Sequence, residues 1–124
     1  MGMFDYVEVF SCPDIPDFVP EKYVPFFKAS FERNGFQTKD LENLMCHYMI
    51  LENGELHDAG FDYKNAKKMN YHGVFNMYTL VPLNEEEDVN GKRVFVEYEV
   101  KYTDGVLQHI KWISPQKEEL QKLI

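Results

Sequence analysis

The chain has 124 residues and is 44% hydrophobic, 15% aromatic and 27% charged, with a net charge of −8. That length supports one domain around one core, and the aromatic content excludes a disordered chain. The acidic balance argues against direct nucleic-acid binding or an anionic membrane surface, both of which call for basic residues.

Charge is spread along the chain: residues 1–35 carry −3, residues 36–72 carry −2 and residues 73–124 carry −3. No apolar run is long enough to span a bilayer. The opening MGMFDYVEVF lacks the basic start and apolar stretch of a signal peptide, so a cytosolic location is expected. Tyr6 stands where a myristoylation pattern wants Ser or Thr. Cys12 and Cys46 are the only cysteines and are read as reduced thiols, Cys46 in the core and Cys12 in a loop beside Pro13.

In chain order, YVEVF (6–10) alternates and predicts a strand. Residues 11–25 hold four prolines and predict an irregular excursion. FFKASFERNG (26–35) predicts a short helix with Phe27 and Phe31 facing the core and a stop at Asn34-Gly35. Residues 36–45 are ambiguous; within them Thr38, Lys39 and Asp40 read as a turn or helix start with Thr38 as a cap. CHYMILENGELHDA (46–59) predicts a hairpin. A three-residue loop with Gly54 in a bulge pairs Ile50 with Leu56 and keeps Glu52 from facing Glu55.

Residues 60–73 read as a polar connecting loop. VFNMYTLV (74–81) predicts a strand halted by Pro82, and residues 83–92 an acidic loop. RVFVEYEVKY (93–102) and VLQHIKWI (106–113) predict a second hairpin. With Thr103, Asp104 and Gly105 as its loop, Tyr98 faces Ile110 and Val96 faces Trp112. Glu97 then faces Lys111, and Glu99 faces His109. This register keeps one face apolar and uses the polar residues as cross-strand pairs. Phe95 is left on the polar face, opposite Ile113. SPQKEELQKLI (114–124) predicts a C-terminal helix with Ser114 as N-cap, Pro115 at the first helical position and an apolar edge of Leu120, Leu123 and Ile124.

The expected fold is α+β in a single domain of residues 1–124, dominated by an antiparallel sheet of five or six strands. A short helix lies near 26–34, a second lies at the C-terminus, and residues 11–35 form an insertion.

Chemistry-bearing motifs are sparse. There is no Cys-x-x-Cys, no Gly-x-Ser-x-Gly and no phosphate-cradling glycine loop. Cys46 and His47 are adjacent on a strand, so their side chains point to opposite faces and cannot act together. His47 and His57, neighbours across the first hairpin, make the best available metal constellation with Asp58 or Asp62. Incidental surface histidines are nevertheless commoner than ligands. No cofactor is expected.

MGMFDYV, FQTKDLENLMCHYMILENGEL, YHGVFNMYT and FVEYEVKYTDGVLQHIKW resemble a family of small uncharacterised proteins of bacteriophages, prophages and bacteria. Its members open with a Met-Phe-Asp segment, carry Phe-Gln-Thr-Lys-Asp-Leu and close with a Thr-Asp-Gly hairpin. The matches cover about half the chain in the same order. The resemblance implies a small phage-type protein and supplies no catalytic residues.

The expected function is a non-enzymatic protein-interaction module that binds or inhibits a host protein. Its candidate contacts are Glu85, Glu86, Glu87 and Asp88, with Phe95 and Ile113. A small-ligand or nucleotide-binding module is the alternative, and a metal-dependent enzyme using His47 and His57 the third reading. The sequence carries no signal for oligomeric state.

Overall fold

The structure is a computed structural model and describes residues 4–41, 46–60, 66–83 and 93–124. It is an α+β fold built mostly from one mixed sheet. The strands are β1 (Asp5–Val9), β2 (Phe36–Thr38), β3 (His47–Ile50), β4 (Leu56–Gly60), β5 (Lys67–Lys68), β6 (Gly73–Pro82), β7 (Arg93–Thr103) and β8 (Val106–Ser114). The helices are α1 (Val24–Arg33) and α2 (Lys117–Leu123).

Strand order is β5-β4-β3-β1-β2-β6-β7-β8. Every neighbouring pair is antiparallel except β1 with β3, which is parallel. The described residues thus hold eight strands where the sequence predicts five or six. The added strands are three-residue β2 and two-residue β5, too short to show a period in the sequence. Gly60 and the Lys67–Lys68 pair fall in the segment expected to be wholly loop.

Alternation sorts the faces. Val7, Val9, Phe36, Tyr48, Ile50, Phe75, Met77, Val96, Tyr98 and Val100 point inward and are buried. Helix α1, begun by Pro25 in its first turn, lays Phe27 and Phe31 on this face. Phe31 meets Phe36 at a ring-centroid distance of 5.1 Å and Tyr98 at 5.8 Å, and Phe27 stacks on Trp112 at 6.1 Å. The Pro-rich excursion is anchored to the same core by buried Val19 and by the Tyr98 hydroxyl, which donates to the Asp14 carbonyl at 2.9 Å. Leu120 docks α2, while Leu123 of the expected apolar edge is exposed.

The hairpin β3–β4 has the predicted register, Ile50 opposite Leu56 and Met49 opposite His57. Gly54 at φ 89° closes the turn, its N–H donating to the Leu51 carbonyl at 2.8 Å.

The hairpin β7–β8 departs from expectation. Asp104 (φ 49°) and Gly105 (φ 83°) form a two-residue turn, both in the left-handed region, and Thr103 pairs with Val106. A two-residue turn alone would mix the faces. A bulge between Tyr102 and Lys101, with Gln108 as the extra residue, restores them. Val100 then faces Ile110, Tyr98 faces Trp112 and Glu99 faces Lys111. A second bulge skips Ile113 and pairs Glu97 with Ser114. Ile113 is therefore not the partner of Phe95, and Ser114 is the last strand residue rather than a helix cap. Gln116 takes the N-cap position with no side-chain cap bond.

The sheet curls so that the β3–β4 turn meets the β7–β8 hairpin. The Tyr102 hydroxyl donates to the Gly54 carbonyl at 2.6 Å. A side chain at Gly54 would lie 3.2 Å from the Leu107 Cβ.

Candidate functional site

Several polar residues in and beside the sheet have structural partners. His109 and Glu99 meet at 2.9 Å, a diagonal pair across β7 and β8. Glu55 contacts His57 at 3.2 Å and Lys68 at 3.4 Å, and these bonds hold its carboxyl below the usual carboxylate value. His72 lies 3.4 Å from the exposed Asp104 carboxylate.

The Thr38-Lys39-Asp40 trio ends β2 in a bend and does not start a helix. Strand β2 joins β6 through a single bridge, Gln37 with Tyr78. Buried Thr38 extends that joint: its Oγ1 donates to the Asn76 carbonyl at 2.7 Å and accepts from the Asp40 amide at 3.2 Å. Asp40 in turn accepts from the Asn76 amide at 2.8 Å. Side chains here stand in for missing ladder bonds. Buried Asp5 performs a like service by accepting from the Cys46 amide at 3.0 Å.

Of the metal constellation, the described members His47, His57 and Asp58 are not grouped to hold an ion. A bulge between His47 and Tyr48 puts His47 opposite Gly60, and its ring stacks on Tyr6 at 5.1 Å. His57 is held by Glu55, and Asp58 pairs in register with Tyr48 and Lys67. Among the described residues no three His, Cys, Asp or Glu side chains are grouped to hold a metal ion. Cys46 is buried, as expected for a core residue, and Cys12 is exposed.

A cleft of about 650 Å³ opens between the Pro-rich excursion and α1, with Cys12, Asp14, Asp17, Glu21, Val24 and Lys28 in its lining. Partial burial raises the Cys12 thiol above its ordinary value, Lys28 opposing the shift. An un-ionised thiol is a poor nucleophile.

What remains is the sheet face opposite α1. An aromatic band crosses it. Phe4 meets Tyr6 edge-on at 5.2 Å; Tyr6 stacks on His47 and pairs in register with Gln37; Gln37 pairs with Tyr78. Tyr78 stacks on Phe95 at 5.3 Å, and Phe95 pairs with Leu80. Phe95 is 49% exposed and Leu80 52%. Neighbouring apolar residues at this exposure form a patch, unlike the singly scattered apolar residues of ordinary surfaces.

Of the sequence-derived contacts, Phe95 belongs to this patch and Ile113 sits in the second bulge of β8. Glu85, Glu86, Glu87 and Asp88 lie outside the described residues, as does Asp62. Tyr78 and Leu80 were missed as contacts. Their signal is in MYTLVP, where apolar residues occupy both parities of one strand, so both sheet faces are apolar there.

Comparison with family models, with curated proteins and with solved structures finds no match to this chain. No helix among the described residues is long and apolar enough to cross a membrane. Fold and surface define an α+β protein in which, among the described residues, helices cover one sheet face and not the other.

Proposed function

We propose that the chain is a non-enzymatic protein-interaction module whose contact surface is the open face around Tyr78, Leu80 and Phe95. One observation carries this reading. The large apolar side chains Leu80 and Phe95 stand side by side on β6 and β7, on the sheet face away from α1, and are half exposed. Such a surface lowers its free energy by covering apolar area, at roughly 25 cal/mol per Å². Binding of a host protein, the partner expected of a phage-type protein of this size and acidity, is one form of this reading. A face that pairs copies of the chain is the other.

The test is a photo-crosslinking residue at position 95, with position 101 on the same strand face as control, in cells that express the chain. A discrete cross-linked protein at 95 and none at 101 supports the module. No product at 95, or the same products at both positions, overturns it. A thermal-shift screen with nucleotides and small anions addresses the cleft lined by Asp14 and Lys28. A raised melting point with one ligand class would favour the small-ligand reading instead.

A further inference from the structure

We infer that the occupant of this face is a second copy of the chain, packed sheet on sheet with β7 antiparallel to β7. The inference rests on the interaction-module reading and names its partner. The open face is complementary to itself. In the β6–β7 register Phe95 stands beside Leu80, Arg93 beside Pro82 and Glu97 beside Tyr78. Arg93 and Glu97 thus flank Phe95 symmetrically, each two residues away and on the same strand face. Among the described residues neither side chain has a hydrogen-bond or ion-pair partner, whereas Glu99 on the same face is paired with His109.

Consider a two-fold axis lying in the interface plane, across the strands and over Phe95. It reverses strand direction and keeps lateral position. Phe95 then meets Phe95 of the second copy, Leu80 meets Leu80, Tyr78 meets Pro82, and Arg93 meets Glu97. One patch serves both sides, as an isologous contact requires. Sheets packed face to face stand about 10 Å apart, a gap that an Arg and a Glu side chain span together. An axis along the strands would instead set Arg93 against Arg93 and Glu97 against Glu97. Like charges across an interface are penalised, so the charges select the antiparallel arrangement. The apolar centre is small beside the roughly 800 Å² per partner of a standard interface, so the dimer is a weak one.

The experiment is sedimentation equilibrium of the full chain from ~10 µM to ~1 mM, a range that spans weak association. The mass should rise from that of the 14.7 kDa monomer towards twice that value. Arg93→Glu and Glu97→Arg should each weaken association about tenfold or more, because each sets like charges against one another. Mixing the two variants in equal amounts should restore it, since every cross-pair is then Glu with Arg, and so should the double exchange in one chain. A monomeric mass throughout, or a mixture no tighter than its components, overturns the second copy as occupant. A monomeric chain whose position-95 cross-linker still traps a different protein overturns this inference and leaves the module standing. Absence of any product dependent on position 95 removes both.

Discussion

Thr38→Val tests whether the joint between β2 and β6 is held by side-chain hydrogen bonds. Thr38 is fully buried, and its hydroxyl serves both the Asn76 carbonyl and the Asp40 amide. Valine keeps the shape and removes both bonds. Each bond contributes about 1 kcal/mol net, and the Asn76 carbonyl left unpaired at a part-buried joint adds a partial desolvation cost, so the loss is about 2–3 kcal/mol. Thr38→Ser keeps both bonds and removes one methyl group, for about 1 kcal/mol. Urea unfolding of the three chains reads the difference. With an ordinary slope for this size, the Val midpoint falls by roughly 1 M and the Ser midpoint by less than half of that. A serine variant as destabilised as the valine variant would refute the hydrogen-bonded joint and assign the residue to packing alone.

Tyr102→Phe removes the donor to the Gly54 carbonyl and should cost about 1–2 kcal/mol in the same assay. The Glu55 carboxyl, titrated by NMR, should ionise below its ordinary value of 4.5, and His57→Ala should bring it back towards that value. Because its folded value is depressed, its contribution to stability is present above the unfolded value and lost as pH falls through the folded one. Burial pushes the phenols of Tyr98 and Tyr102 far above their ordinary range. Their contribution is present below the unfolded value near 10 and disappears as pH rises towards the folded values. Absorbance titration should show both phenols ionising only together with unfolding.

Local patterns were legible where one rule decided them. The bulged turn at Gly54 followed from avoiding Glu52 against Glu55, and Phe27 and Phe31 from helical spacing before Asn34-Gly35. The second hairpin shows the limit. Tyr98 and Trp112 fall on the apolar face as alternation predicts, but an unbulged hairpin reaches that only with a turn one residue longer than the Asp104-Gly105 turn, and a bulge at Gln108 has no sequence signature. Long-range pairing was illegible. Nothing local announces that β1 lies between β2 and β3, or that Thr38 and Asp40 bond to a strand 36 to 38 residues away. For the site, Phe95 was visible as an apolar residue on a polar face. Tyr78 and Leu80 were hidden by a strand apolar on both sides.

The Tyr102–Gly54 bond has a consequence for how the molecule comes apart. It ties a turn of the β5-β4-β3-β1-β2 side to a strand of the β6-β7-β8 side, at a distance from the Thr38 joint. Peeling the halves apart requires both fastenings to fail, together with the aromatic cluster in which Phe31 touches Phe36 and Tyr98. Denaturation should therefore be a single cooperative event, with amide exchange in β3 and β7 governed by the same global opening.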